Sequence, residues 1–131
     1  MRMEKFDIFC KTLENLKIIE DYSEPYDAVT EAGLIGLYSI CFEQAWKAMK
    51  AILEKYGYDH IGTSSPNMVV KTAYQSGIIK DVDGWLSALE ARNNVSRSYD
   101  KNVAADIIRQ TRNKFITLFT DLEKEVKKNW P

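Results

Sequence analysis

The feature that most constrains this chain is a helical apolar pattern that runs over residues 28–56. Apolar residues recur three and four positions apart on two separate stripes of this segment. The stripes comprise Ile35, Tyr38, Phe42, Trp46, Met49 and Leu53, and Leu34, Leu37, Cys41, Ala45, Ala48 and Ile52. A surface helix needs only one such stripe. We therefore expect this helix to pack on its own bundle with one side. The other side would meet a further helix of the chain, a second copy or a different partner.

Signals for helix ends flank this pattern on both sides. Pro25 cannot continue a helix, and Asp27 can cap the helix that follows. Gly57 and the Gly-Thr-Ser segment at 62–64 end the long helix. A first amphipathic helix precedes it, predicted from the spacing of Phe6, Phe9, Cys10, Leu13, Leu16 and Ile19.

Three more helices are predicted downstream. Ser65 as N-cap and Pro66 at the first position start a short third helix, which ends at Gly77. Its inward-facing residues are predicted to be Val69, Val70, Ala73 and Tyr74. Asp81 can cap a fourth helix, built on Val82, Trp85, Leu86 and Leu89. Asp100 can cap a fifth, whose core face is Val103, Ile107, Thr111, Phe115, Leu118, Leu122 and Val126.

These patterns predict an all-α fold. Since period-two alternation is absent, we expect almost no strand. Five helices joined by short loops indicate an up-and-down antiparallel four-helix bundle with one additional short helix, in a single domain spanning residues 1–131. The chain is 45% hydrophobic and 28% charged, a composition typical of globular proteins. Its net charge of −1 excludes a whole-protein basic field that would attract nucleic acid.

Secretion, membrane insertion and metal binding are not indicated. The N-terminus lacks an apolar signal core, and no run of about 18 apolar residues occurs, so we expect a cytoplasmic protein. Cys10 and Cys41 lie on apolar helical faces and are predicted to be free and buried, the alternative being a disulfide or metal pair. The single histidine, His60, has no cysteine or carboxylate cluster nearby, so we expect no metal and no cofactor.

Two other motifs suggest chemistry but have simpler explanations. Nucleotidyltransferases hold a triphosphate and magnesium with a Gly-Ser turn and Asp-x-Asp, yet Asp81 and Asp83 lie far from the 62–64 turn. They are better explained as first-turn carboxylates favoured by the helix dipole. Glu43 and Lys47, four apart beside Trp46, are predicted to form a solvated ion pair. The alternative is a polar floor for a partner or ligand.

A polar stretch at residues 92–99 stands where an apolar helix should be ending. On a continuous helix Arg92 and Tyr99 would share one face. If the helix ends earlier, Arg97 and Tyr99 lie at an open junction. Arginine offers a planar fork matched to phosphate, and tyrosine offers stacking or a reactive hydroxyl. The stretch therefore fits phosphate or nucleotide recognition, or a structural network in which Arg92 and Asn93 satisfy helix ends and an acidic neighbour.

Several segments together resemble a known family, the nucleotidyltransferase substrate-binding proteins, which include the HepT-like toxins of the HEPN superfamily. The resemblance spans roughly residues 5–125. It is carried by the order and spacing of Phe42–Lys50, Ser65-Pro66, Ala73, Gly77–Ile79, Trp85, Arg92-Asn93 and Tyr99-Asp100.

This resemblance implies an all-α bundle that forms a homodimer and works with a separate minimal nucleotidyltransferase encoded alongside it. That partner would supply the Gly-Ser and Asp-x-Asp catalysis. In the HepT-like branch, the resemblance further implies a metal-independent RNase site across the dimer. An arginine, a gap of four to six residues and His-x-Tyr would form this site, and the partner would silence it by adding AMP to the tyrosine.

Carried onto this chain, the motif arginine is Arg92, followed by Asn93, and the motif tyrosine is Tyr99. The histidine position is Arg97. Histidine can exchange a proton near neutral pH, whereas arginine stays charged and cannot act as a general base. The resemblance with this departure implies binding of substrate or phosphate by Arg92, Asn93, Arg97 and Tyr99. Only Arg92 and Tyr99 remain as candidates for a catalytic role.

We accordingly predict a non-catalytic subunit that binds substrate or nucleotide and partners a nucleotidyltransferase, as in a toxin–antitoxin pair. The first alternative is a HepT-like RNase with an altered site, regulated by nucleotidylation of Tyr99. The second is a purely structural helical adaptor. The surface for the partner or for the dimer is predicted to include Phe42, Glu43, Trp46 and Lys47.

Overall fold

The computed structural model describes residues 4–58, 61–62 and 64–131 of the chain. Its helices are α1 (Glu4–Leu16), α2 (Ala28–Lys55), α3 (Pro66–Ser76), α4 (Val82–Asn93), α5 (Lys101–Gln110) and α6 (Ile116–Asn129). Short 3-10 turns, Lys17–Asp21 and Val95–Arg97, follow α1 and α4. A π-helical segment, Thr111–Phe115, joins α5 to α6, so these two form the predicted fifth helix. The described residues contain no strand, and the all-α prediction is confirmed.

The predicted helix ends are confirmed. Each N-cap oxygen accepts a hydrogen bond from a backbone N–H two or three residues on, which satisfies a group that the helix leaves unpaired. These caps are Asp27, Ser65, Asp81 and Asp100. Gly77 ends α3 with a left-handed φ of 90°, a conformation that other residues rarely adopt.

Helix α2 is the central helix of the bundle. Most residues of its two apolar stripes are buried, because α1, α3, α4 and α5 all pack against α2. Leu37 and Trp46 are only half-buried, so other helices of the same chain cover most of both stripes but leave part of each accessible. At the centre, Tyr38 stacks on Phe115 with ring centroids 5.3 Å apart, and Trp85 lies 5.4 Å from Phe119.

One prediction about the core is wrong. Tyr74 does not face inward but is 47% exposed. Helix α3 packs against α2 and α4 through a narrow face that holds Val69, Val70 and Ala73. The residue after Ala73 falls outside that face, so the tyrosine ring stays on the surface.

Two arginines fasten the connection between α1 and α2 onto the long C-terminal helix. Arg112 lies in the π-helical segment and donates to the Ile19 carbonyl at 2.8 Å, to the Tyr22 carbonyl and to a tyrosine hydroxyl. Arg109, one turn earlier, binds the exposed carboxylate of Glu24 with bonds of 2.8 and 3.1 Å. The loop is thereby held against the helix that continues from the 92–99 stretch. Within the described residues, no helix combines the length and apolar character needed to cross a bilayer.

Candidate functional site

The polar stretch forms an open junction between two helices. Helix α4 ends at Asn93, and the N–H of Asn94 closes its last turn by donating to the Glu90 carbonyl at 3.0 Å. A 3-10 turn follows, and Asp100 then starts α5. The continuous-helix alternative is therefore excluded. We call residues 94–100 the α4–α5 junction.

Arg92 lies on the inner side of this junction and is bound within the protein. Its Nη2 atom donates to Oε2 of Glu43 at 2.8 Å and to Oε1 at 3.2 Å, and its Nη1 atom donates to Asn93 at 3.2 Å. The two charged side chains are 29% and 30% exposed. Among the described residues, Glu43 does not pair with Lys47, because Arg92 occupies the carboxylate. Arg92 and Asn93 thus fit the structural-network alternative.

Arg97 and Tyr99 occupy the outer side of the junction. The Tyr99 side chain is 86% exposed. Arg97 is exposed, and its Nη1 atom donates to the side-chain oxygen of Asn94 at 3.3 Å. Within the described part of the chain no carboxylate pairs with Arg97, so its guanidinium keeps most of its donors for a ligand. The junction therefore presents one available cation and one available aromatic ring.

Of the four residues predicted for a partner surface, one is buried and three are half-buried. Phe42 is fully enclosed in the core, 6.3 Å from the Trp85 ring, and reaches no surface of this chain. Glu43, Trp46 and Lys47 are half-buried on α2. The Trp46 indole N–H is buried and has no acceptor among the described residues. The predicted surface accordingly rests on these three residues.

The two remaining motifs do not form a catalytic site in the described residues. Asp81 is engaged as the cap of α4, accepting from the Gly84 N–H at 2.9 Å. No group of three or more potential metal ligands comes together in the described part of the chain. Thr63 of the 62–64 turn and His60 lie outside the described residues.

Both cysteines are free, as predicted. Cys41 is buried as predicted, whereas Cys10 is only half-buried, so the prediction of a buried thiol is wrong for Cys10. Burial raises the pKa of each thiol to about 12, and a hydrogen bond to Glu123 adds to the shift at Cys10. Because the thiolate is the nucleophilic form, neither cysteine is activated for chemistry at neutral pH.

A polar groove beside the junction was missed by sequence reasoning. It encloses about 340 Å³ between α4 and α5 and is called here the α4–α5 groove. Its lining comprises Ser87, Glu90, Ala91, Asn94, Asn102, Val103, Asp106, Ile107 and Gln110. The sequence signal was the four-residue spacing of Asn102, Asp106 and Gln110, which places three polar side chains on one face of α5.

A second groove lies at the opposite end of α4. It encloses about 290 Å³ against α6 and has an apolar floor that includes Trp85 and Leu118. Lys80, Lys124 and Lys128 stand among acidic residues in its lining. This groove was not predicted either, since its two walls are more than 30 residues apart in the chain.

The fold and the junction define an all-α helical bundle with a polar, ligand-accessible end. Residues 2–128 match the family described as nucleotidyltransferase substrate binding protein like. The match covers nearly the whole chain, and the protein belongs to this family. A search of curated proteins found no match.

Two solved structures share the fold. One, from Thermus thermophilus, is 22% identical over 92% of this chain and 99% of that chain, with a TM-score of 0.79. The other, from Haemophilus influenzae, is 21% identical over 97% of this chain and all of that chain, with a TM-score of 0.77. The Haemophilus structure is described as revealing the fold of a substrate-binding domain of a nucleotidyltransferase.

Proposed function

We propose that this chain is the non-catalytic, substrate-binding subunit that works with a separate nucleotidyltransferase. The observation that carries the proposal is the family match over residues 2–128. The Haemophilus structure, whose fold this chain shares, is described as such a substrate-binding domain. The two would act in the cytoplasm, which the free thiols of Cys10 and Cys41 support.

The chemistry of the described residues supports a binding role. Asp81, which begins the chain's Asp-x-Asp, is committed to capping α4. Catalysis of nucleotidyl transfer would therefore come from the partner. At the position where the RNase motif of the HepT-like branch has a proton-transferring histidine, this chain has Arg97, and because arginine cannot act as a general base, RNA cleavage is not supported either.

The ligand contacts belong to the outer side of the α4–α5 junction. Arg97 has donors free for phosphate oxygens, and the exposed ring of Tyr99 can stack on a base. Arg92 and Asn93 have a positioning role, because the ion pair of Arg92 with Glu43 holds the end of α4 against α2. The proposal thus assigns nucleotide or phosphate contact to two of the four predicted residues and positioning to the other two.

The partner or a second copy would dock beside this ion pair. Glu43, Trp46 and Lys47 form a half-buried polar and aromatic patch on α2. Aromatic residues that are partly exposed to solvent are typical of protein interfaces. We propose this patch as the contact used in a homodimer or with the nucleotidyltransferase, in an arrangement of the toxin–antitoxin type.

The experiment is co-purification with the proposed nucleotidyltransferase partner, expected to be encoded by a neighbouring gene, with the affinity tag on that partner. We expect wild type and the Arg97→Ala and Tyr99→Phe variants to co-purify, because these two residues contact ligand. Lys47→Glu should weaken capture. Arg109→Ala, on the surface of α5, is the matched control. Failure of the wild-type chain to co-purify contradicts the proposal.

A HepT-like RNase with an altered site is the second candidate. The observation in its favour is the 86% exposure of Tyr99, which leaves the hydroxyl open to nucleotidylation. Incubation of the isolated chain with RNA tests the nuclease, and we expect no cleavage. Cleavage that Arg92→Ala abolishes would favour this candidate. Intact mass after incubation with partner and ATP tests the modification, with Tyr99→Phe as the control.

A further inference from the structure

We infer that the α4–α5 groove binds the acceptor substrate, and that this substrate is a small molecule bearing hydroxyl and ammonium groups. The identification of the ligand as the acceptor substrate rests on the proposed function, whereas the chemistry of binding rests on the groove itself. With about 340 Å³, the groove is at the lower end of the range for small-molecule sites and fits a single small ligand.

The floor and walls of the groove differ in chemistry. Ala91 and Ile107 are buried, and Val103 is half-buried beside them, which gives an apolar floor. The walls carry hydroxyl, amide and carboxylate groups: Ser87, Glu90, Asn94, Asn102, Asp106 and Gln110. A ring with an apolar face and a polar rim matches this arrangement, because its C–H face covers the floor while its donors meet the walls.

The charge of the groove selects the sign of the ligand. Glu90 and Asp106 are exposed carboxylates, one on each wall, and none of the residues lining the groove is basic. Carboxylates only accept hydrogen bonds when ionised, and they attract cations and repel anions. The lining therefore favours ammonium and hydroxyl donors and disfavours phosphates and carboxylates.

The helix ends act in the same direction. The last turn of α4, with its partial negative charge, lies at the groove through Glu90, Ala91 and Asn94. The opposite partial charge, at the first turn of α5, is offset by the Asp100 carboxylate, which accepts from the Asn102 N–H at 2.8 Å. The helix ends therefore add no positive charge that would offset the carboxylates of Glu90 and Asp106.

Several wall groups are still available to a ligand. Within the described residues, the side chains of Glu90 and Asn102 have no hydrogen-bond partner in the protein. Asp106 accepts one bond from Gln110 at 2.7 Å and keeps its other oxygen. Asn94 links the groove to the junction, because its side-chain oxygen accepts from Arg97 at 3.3 Å. A cationic acceptor in the groove would thus lie next to the arginine that contacts the nucleotide phosphates.

The test is a nuclear magnetic resonance titration of the isotope-labelled full chain with three sugars that share a ring and differ in charge. They are glucosamine, which carries an ammonium, N-acetylglucosamine, which is neutral, and glucuronate, which carries a carboxylate. We expect glucosamine at millimolar concentration to shift the amides of Asn102, Val103 and Ile107. N-acetylglucosamine should bind more weakly, and glucuronate should cause no shift at these residues.

The variants Glu90→Gln and Asp106→Asn should each lower the affinity for glucosamine by about two- to fivefold, the range expected for one exposed charge pair. Glu54→Gln, an exposed carboxylate on α2, is the matched control and should change nothing. The inference is overturned if glucosamine causes no shifts, if glucuronate binds the groove equally well, or if both groove variants bind glucosamine like wild type. Since the partner is not in the sample, a failed titration is distinguishable from a failure to form the complex.

Discussion

Arg92 and Glu43, 49 positions apart in the chain, form an ion pair in which one guanidinium nitrogen contacts both carboxylate oxygens at 2.8 and 3.2 Å. The pair joins the last turn of α4 to the middle of α2. Because each side chain is only about 30% exposed, the attraction is screened less than in a surface pair. The end of α4, where the junction begins, is therefore fixed to the central helix.

The coupling between these two residues is the first prediction. Arg92→Gln and Glu43→Gln should each lower the free energy of unfolding by about 1–2 kcal/mol, since each leaves a half-buried charge without its partner. The double variant should recover about 1 kcal/mol of the summed loss. Urea denaturation of the four proteins measures this coupling.

Lys127 and Glu123 provide the control pair. They are four residues apart on α6, 3.5 Å apart at their charged atoms, and the lysine is 64% exposed. Their coupling should not exceed about 0.5 kcal/mol. A coupling of zero between Arg92 and Glu43 would contradict the structural role and return Arg92 to the ligand-binding set.

Glycine substitutions on two helices should have opposite effects on stability. A Cβ at Gly84 would lie 2.4 Å from Oδ2 of Asp81 and 3.1 Å from a methyl group of Leu118. Gly84→Ala must displace the carboxylate that caps α4, so we expect a net loss of about 1–2 kcal/mol despite the better helix propensity of alanine.

Gly33→Ala on α2 is the matched substitution. A Cβ there would meet nothing within 4 Å. The variant should be more stable than wild type by up to about 1 kcal/mol, because alanine loses less conformational freedom in a helix. Thermal denaturation of both variants measures the contrast. Equal shifts of the same sign would show that packing at Gly84 is not the cause.

Two arginines three residues apart should differ in their contribution to stability. Arg112 donates to two backbone carbonyls and to the Tyr26 hydroxyl, and all three lose this donor in Arg112→Ala, although the Ile19 carbonyl still accepts from the Tyr22 N–H at 3.2 Å. We expect a loss of about 2–3 kcal/mol. Arg109→Ala removes only an exposed pair with Glu24 and should cost at most about 1 kcal/mol. Chemical denaturation tests the ranking, and a reversed order would contradict the role assigned to Arg112.

The buried thiol of Cys41 predicts a loss of stability at high pH. Burial raises its pKa from 9.0 to about 12. Below about pH 9 both the folded and the unfolded chain hold the proton, and the full contribution is present. Between about pH 9 and 12 the unfolded chain loses the proton first, so the folded state loses stability as pH rises.

Cys41→Ala isolates this effect from other groups that titrate at high pH. The free energy of unfolding should fall less between about pH 8 and pH 10 in the variant than in wild type. For each protein, the change in the free energy of unfolding between the two pH values is taken, and only these changes are compared, because the substitution also leaves a small cavity that lowers stability at both pH values. Equal falls in both proteins would show that the thiol does not contribute.

The helix ends could be predicted from the sequence because their physical causes are local. Asp27, Ser65 and Asp81 each bind a backbone N–H three residues on, and a glycine with positive φ ends α3. The exposure of Tyr74 could not be predicted in this way. It depends on which neighbouring helices cover α3, and local spacing does not contain that information.

In the candidate site, too, local features could be predicted from the sequence, whereas features that depend on the packing of distant helices could not. The sequence left two alternatives for the 92–99 stretch, a continuous helix or a junction between two helices. The junction forms, and Asp100 caps the helix that follows it. The spacing in the sequence predicted Lys47, one turn away, as the partner of Glu43, and this prediction is wrong. The partner is Arg92, which reaches Glu43 only because α4 packs on α2, and the sequence spacing does not show that packing. The α4–α5 groove needs two helices side by side, so the spacing on α5 alone could indicate a polar face but not a cavity.

The most direct measurement of the central claim is the mass, by light scattering after size-exclusion chromatography, of this chain mixed with the proposed nucleotidyltransferase partner at micromolar concentration. We expect a single species that contains both proteins in a fixed ratio. Lys47→Glu should shift that species toward the separate components, whereas Arg109→Ala should not. Two peaks at the masses of the separate wild-type proteins would contradict the account.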